Sequence, residues 1–184
     1  MRQISERPEA VSERAARAVA AAVGARSVGA AWTPRLDARG FSFGVVVSVF
    51  HSGLAAELLG GAIRRFEELG ADQGAIRVVA VPGAFELPLG ARLLIRSGAV
   101  DVVVCLGAVI RGETDHYDHV AREAAAGVAR VALEEGRPVI FGVITAEDFD
   151  QAVERASRSG QDKGGEAAAG AVAMAELARF LGGK

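Results

Sequence analysis

Cysteine is nearly missing from this 184-residue chain: Cys105 is the only one. No disulfide can therefore form within it. Cys105 sits in the middle of an apolar run, which predicts a small buried packing group rather than a nucleophile. No apolar run approaches the ~18–20 residues needed to span a bilayer, so the chain reads as soluble and cytoplasmic. Residues 10–25 faintly resemble a signal peptide. However, Glu6, Glu9 and Glu13 occupy what would be its basic region, and its apolar part is mostly alanine, which speaks against cleavage. There is no excess of positive charge, since 21 basic residues face 23 acidic ones for a net charge of -2. That argues against a nucleic-acid partner. A Walker loop is missing, and no G-x-G-x-x-G follows the first expected strand, which disfavours nucleotide folds of those kinds. His116 and His119 lie one helical turn apart with Glu113 and Asp115 near them, yet no ligand set with standard metal spacing is present.

What is present is a hydrophobic fraction of 51%, enough for one domain with a sizeable core. Residues 1–40 stand apart as an Ala/Arg-rich extension with seven Arg against four acidic residues. Ser12 to Val23 could form a short helix there, and the segment is expected to be a mobile tail. From residue 41 to 184 strand and helix patterns alternate. Strands are expected at Phe43–Val49, Ile76–Val81, Val102–Ala108 and Pro138–Ile144. Helices are expected over Gly53–Leu69, Phe85–Ile95, His116–Glu135, a segment ending near Arg158, and Lys163–Leu181, with Gly70 and Gly136 as stops. Thr145 is expected to cap the fourth of these, with Asp148 at the capping-box position. Such alternation implies an α/β fold with a parallel sheet covered by helices on both faces, a three-layer α/β/α sandwich. Four strands leave two sheet edges, which invite pairing with another chain.

Parallel strands end on one side of a sheet, so the loops that follow them are neighbours. Those loops carry Phe50 and His51, then Ala84, Phe85 and Glu86, then Arg111 to His116, then Thr145 onward. His116 opens a helix, whose free N–H groups suit an anion, and an imidazole of intrinsic pKa ~6.5 suits proton transfer. The set resembles a cleft for a flat polar ring plus an anionic group. From pattern alone, Phe50 and Phe85 are as well read as core residues, Glu86 as a helix-end carboxylate, and Arg155 and Lys163 as surface charges.

Longer motifs narrow this. They are Ser48-Val49-Phe50, Val81-Pro82-Gly83-Ala84-Phe85-Glu86-Leu87-Pro88, Leu106 to Asp118 (LGAVIRGETDHYD), Val139 to Thr145, and Glu154-Arg155-Ala156 with Lys163-Gly164. In this order they resemble the 6,7-dimethyl-8-ribityllumazine synthases over roughly Phe41 to Leu181. The resemblance implies a flavodoxin-like sheet. It also implies condensation of 5-amino-6-(D-ribitylamino)uracil with 3,4-dihydroxy-2-butanone 4-phosphate, with no metal or organic cofactor. By the same resemblance Phe50 stacks on the pyrimidine, with His51 near the ribityl chain. Ala84, Phe85 and Glu86 contact ribityl chain and ring, and Val109 and Ile110 give backbone contacts to the pyrimidine edge. Glu113 and Thr114 form the phosphate turn, and His116 transfers protons. Phe141, Arg155 and Lys163 reach the site from a neighbouring subunit of a pentamer, and some members pack twelve pentamers into a sixty-subunit shell. Three positions depart from the pattern. His51 stands where asparagine is usual, Asp115 where proline is common, and Gly165 where a larger residue such as tryptophan is frequent. Two alternatives are a shell-forming or flavin-binding paralogue without efficient turnover, and a flavodoxin-like electron carrier, which the missing phosphate loop disfavours.

Overall fold

The computed structural model describes residues 32–182, together with residues 18, 19, 21 and 22, which are helical. Apart from those four, the helix expected over residues 12–23 lies outside the described residues. The described chain runs β1 (Phe43–Ser48), α1 (Ser52–Glu68), β2 (Ile76–Val81), α2 (Leu87–Arg96), β3 (Val102–Ile110), α3 (His116–Glu135), β4 (Val139–Ala146), α4 (Phe149–Ala156) and α5 (Lys163–Phe180). The four strands form one parallel sheet in the order β2-β1-β3-β4.

The continuous apolar runs of β1 and β3 divide by alternation. Phe43, Val45 and Val47 of β1, with Val102, Val104 and Leu106 of β3, face one layer made by α1, α4 and α5. Val46, Val103 and Cys105 face the other, made by α2 and α3. Both faces of a central parallel strand are thus covered, which is why its sequence is apolar throughout rather than alternating. Phe43 and Phe66 pack with ring centroids 4.2 Å apart, and Phe41 meets Phe43 edge-on at 6.4 Å. Each fully buried Phe, Leu or Val here contributes roughly 1.5–3 kcal/mol.

The elements expected from residue 41 onward are all present, and their ends differ for local reasons. β3 runs on to Ile110 and β4 to Ala146, because pairing continues through Val109↔Thr145 and Ile110↔Ala146. Thr145 is therefore a strand residue and does not cap the next helix. Asp148, in extended backbone, takes that place and accepts from the Gln151 N–H. Ala84–Glu86 forms a single 3₁₀ turn, and α2 begins only at Leu87, with Pro88 in its first turn where the missing N–H costs nothing. Gly136 ends α3 in the left-handed conformation, φ +60°.

Between α4 and α5 the chain turns sharply. Asp162 is itself left-handed, φ 45°, and its carboxylate accepts from Gly165 N–H to cap α5. Here α1 and α5 cross closely. A methyl group built on Gly164 would fall on the Leu58 carbonyl oxygen. Gly165 is buried in the same turn, and a methyl group there would stand 2.6 Å from Asp162 Oδ2. The small residue at 165 is thus part of the cap itself.

Before β1 the chain is held against the domain. Glu176 of α5, only 8% exposed, accepts the backbone N–H groups of Arg35, Leu36 and Asp37 at 2.9, 3.3 and 3.1 Å. Leu36 has φ 56°, which turns successive N–H groups toward one carboxylate. Ala38 is fully buried and its N–H donates to the Leu69 carbonyl.

Candidate active site

The sheet order reverses at β1: the chain passes from β1 to β2 on one side, then returns to β3 on the other. Ligands of open parallel sheets bind beyond the strand carboxyl ends at such a switch point. A cleft of about 570 Å³ opens there. It is lined by Phe50 and His51 after β1, Gly83 to Glu86 after β2, Ala108 to Ile110 of β3, Gly112 and Thr114 of the next turn, and His116, Tyr117 and Val120 of α3.

Strand register prepares one wall. Pairing of β1 with β3 ends at Val47↔Leu106, while β3 continues to Ile110 alongside β4. The last residues of β3 therefore overhang, with backbone groups on the β1 side that no strand takes up. Val109 and Ile110 lie on this overhang, beside the cleft.

Phe50 and Phe85 are 77% and 59% exposed, so neither is a core residue. Two uncovered phenyl rings at the mouth of one cleft are a costly use of apolar surface unless a ligand covers them. His51 stands edge-on to Phe50, centroids 5.0 Å apart, and lies 6.5 Å from the Phe149 ring. Glu86 is half-buried and follows directly on the aromatic residue. Its N–H donates to the Gly83 carbonyl at 3.3 Å, and its carboxylate lies against Gly83, where an added methyl group would stand 3.0 Å from Oε2.

Three helices begin at this cleft: α1 after His51, α2 after Glu86 and α3 after Asp115. None of the three has a side-chain cap. By contrast α4 and α5, which begin elsewhere, are capped by Asp148 and Asp162. The first N–H groups of a helix need acceptors, and an uncapped α3 offers them, with its dipole, to an anion beside Thr114 and His116. Asp115 places a carboxylate at this terminus without using it as a cap.

The rim carries a cation. Arg111 Nε lies 2.8 Å from Glu147 Oε2, and its guanidinium carbon is 4.5 Å from the Tyr117 ring centroid. Glu147 first, and then Asp118, hold the Arg111 pKa above its usual range. On the buried side of β3, Cys105 is fully enclosed and burial pushes its thiol up to about 12. It is packing, not chemistry.

Of the residues singled out from sequence, Phe50, His51, Ala84, Phe85, Glu86, Val109, Ile110, Thr114 and His116 line one cleft. Glu113 is exposed in the same turn but does not line it. Phe141 on β4, Arg155 on α4 and Lys163 at the start of α5 lie outside the lining. Arg155 Nη1 donates to the Thr145 carbonyl, and Lys163 Nζ is 2.5 Å from Glu166 Oε2. Sequence reasoning passed over Gly83, Ala108, Gly112, Tyr117 and Val120 as site residues. Val120 had a signal, since it lies four residues after His116 on the same helical face. The small residues had none, because an absent side chain makes room without leaving a pattern.

A sequence model of the family described as 6,7-dimethyl-8-ribityllumazine synthase matches residues 40–179. The chain belongs to the 6,7-dimethyl-8-ribityllumazine synthase family. The match spans every strand of the sheet and all the cleft-lining residues. It places the chain in lumazine synthesis within riboflavin biosynthesis, and in a family of enzymes. Among the described residues no helix is long and apolar enough to cross a membrane.

Proposed function

We propose that this lumazine synthase family member is a transferase that condenses 5-amino-6-(D-ribitylamino)uracil with 3,4-dihydroxy-2-butanone 4-phosphate, giving 6,7-dimethyl-8-ribityllumazine, phosphate and water. This is the penultimate step of riboflavin synthesis. One observation supports the reading above others: two exposed phenyl rings and an uncapped helix N-terminus that carries His116 line the same cleft. A flat heterocycle suits the first half and a phosphate the second.

In this reading Phe50 stacks on the pyrimidine, and the overhanging backbone of Val109 and Ile110 meets its polar edge. His51, Ala84, Phe85 and Glu86 hold the ribityl chain and ring. Glu113, Thr114 and the first N–H groups of α3 receive the phosphate. The 5-amino nitrogen attacks the ketone carbon, and loss of water gives an imine. Elimination then breaks the C–O bond to phosphate, which leaves with that electron pair. The ribitylamino nitrogen closes the second ring on the remaining carbonyl, and a second water leaves. His116 moves protons in these steps, worth about 10²–10⁴ in rate for general acid–base catalysis. Holding two substrates in one cleft supplies much of the rest. No metal or organic cofactor enters the sequence.

Within one chain Phe141 is exposed, and Arg155 and Lys163 are partly exposed. We assign them to the site of an adjacent subunit in a homopentamer, where Arg155 adds a guanidinium to the phosphate. Residues 41–184 form the catalytic domain and residues 1–40 an extension, whose end at 35–38 docks on that domain through Glu176 and the Leu69 carbonyl. The direct test is to mix the two substrates with purified protein and follow the product's absorbance and fluorescence. Production of the lumazine at a rate above the uncatalysed mixture is expected, and its absence with folded protein overturns the assignment.

A further inference from the structure

Arg111 stands between two residues that line the cleft, Ile110 and Gly112, and is not itself among them. Its side chain turns to the rim. There Nε lies 2.8 Å from Glu147 Oε2 and Nη2 lies 3.5 Å from Asp118 Oδ1. The guanidinium also rests on the Tyr117 ring, whose residue lines the cleft. The backbone N–H of Arg111 donates to the Ala146 carbonyl at 2.9 Å. Arg111 is thus tied by main chain and side chain to the end of β4, and by charge and ring to the first turn of α3. Exposed ion pairs add little to stability, so this cluster is poorly explained as a stabilising device. A planar guanidinium with three partners does fix orientation. What it brackets is the segment 112–117, which brings Gly112, Thr114, His116 and Tyr117 to the cleft.

We propose that Arg111 is a positioning residue for the anion end of the cleft: through Glu147, Asp118 and Tyr117 it holds the 112–117 turn where Thr114 and the open N-terminus of α3 meet a phosphate group. This rests on the assignment of a phosphorylated substrate to that end. Arg111 acts through the turn and does not touch the substrate, and the two carboxylates facing it leave little net charge to attract an anion directly. Glu147 is the other half of the device, because it carries the tie to the end of β4.

The test uses full-length wild-type protein with Arg111→Ala, Arg111→Lys and Glu147→Ala. KM for each substrate and kcat are measured, and inorganic phosphate is titrated by calorimetry. Arg111→Ala and Glu147→Ala should each raise KM for the phosphorylated substrate and weaken inorganic phosphate by roughly tenfold, inside the hundredfold that a misplacement of about 1 Å can cost. KM for the pyrimidine should stay within about twofold of wild type, since its contacts lie elsewhere. Arg111→Lys, which keeps the charge and loses the planar fork, should fall between. An equal rise in both KM values would mean general loosening and overturn the proposal. So would unchanged phosphate affinity, or an effect of Arg111→Ala that Glu147→Ala does not share. If Arg111→Ala fails to fold, Glu147→Ala decides. If wild-type protein forms no lumazine, the functional assignment fails by itself, and the phosphate titrations still decide the role of Arg111.

Discussion

At the residue scale, the chemistry of this chain is governed by what each side chain faces. His116 is exposed on the first turn of α3 and lines the cleft. Removing its imidazole should leave the fold intact, because it supports no core contact. His116→Ala should lower turnover by about 10²–10⁴-fold if the imidazole moves protons, with unchanged far-ultraviolet circular dichroism as the control. Turnover equal to wild type would take His116 out of the mechanism. Cys105 is the opposite case. Burial raises its thiol from an ordinary value of 9.0 to about 12. The native protein then retains a proton that the unfolded chain loses, so stability should fall as pH climbs from about 9 toward 12. Denaturation midpoints of wild type and Cys105→Ala, followed with pH, should show a steeper alkaline loss for wild type. A thiol reagent should modify Cys105 only in denaturant, and rapid labelling of the native protein would contradict its burial.

At the scale of elements, two contacts decide how helices seat on the sheet. α1 and α5 approach so closely at Gly164 that no side chain fits beneath the Leu58 carbonyl. Gly164→Val should destabilise the fold by about 1–3 kcal/mol or more, as overpacked cores do, read as a lower urea midpoint with little change in slope. Equal stability would mean the helices separate freely. The second contact is Glu176 with the N–H groups of Arg35, Leu36 and Asp37. Glu176→Ala leaves those three donors without their carboxylate, so limited proteolysis should cut near residue 36 much faster than in wild type. Unchanged cleavage there would show that Ala38 and its bond to Leu69 suffice to seat the segment.

At the scale of the whole molecule, the surface left by a single chain is informative. The edge strand β2 exposes Val78 and Val79, and beside it α2 exposes Leu89 and Leu93. On the opposite edge Phe141, Phe149 and Val153 are exposed. A ring of subunits joined head to tail brings one edge of each chain to the other edge of the next. If each site is shared in this way, His116→Ala and Arg155→Ala, each nearly inactive alone, should complement when unfolded and refolded together. With random mixing, roughly a quarter of interfaces pair an intact His116 with an intact Arg155 by symmetry. No recovered activity, with mixed oligomers confirmed by native mass, would place both groups in one chain's site. The same mass measurement separates a pentamer from a larger shell.

How far the sequence alone reached can be seen in particular residues. Alternating strand and helix patterns, with β1 and β3 apolar throughout, were enough for a parallel α/β sandwich, because a strand buried on both faces has no other economical composition. The loops after β1, β2 and β3 could be placed together for the same reason, since parallel strands end on one side. The ends of β3 and β4 could not: their extra pairs depend on each strand finding the other in register, and neither segment carries that information alone. Nor could the sequence separate a core phenylalanine from an exposed one. Phe43 and Phe50 are seven residues apart in an apolar setting, yet one is fully buried and the other is 77% exposed. Nothing in the sequence around Gly164 shows that the Leu58 carbonyl lies against it. Local composition determines which elements form and which layers they need. Close approach, exposure and the overhang that makes the cleft depend on pairs of segments far apart in the chain, and only the tertiary structure decides them.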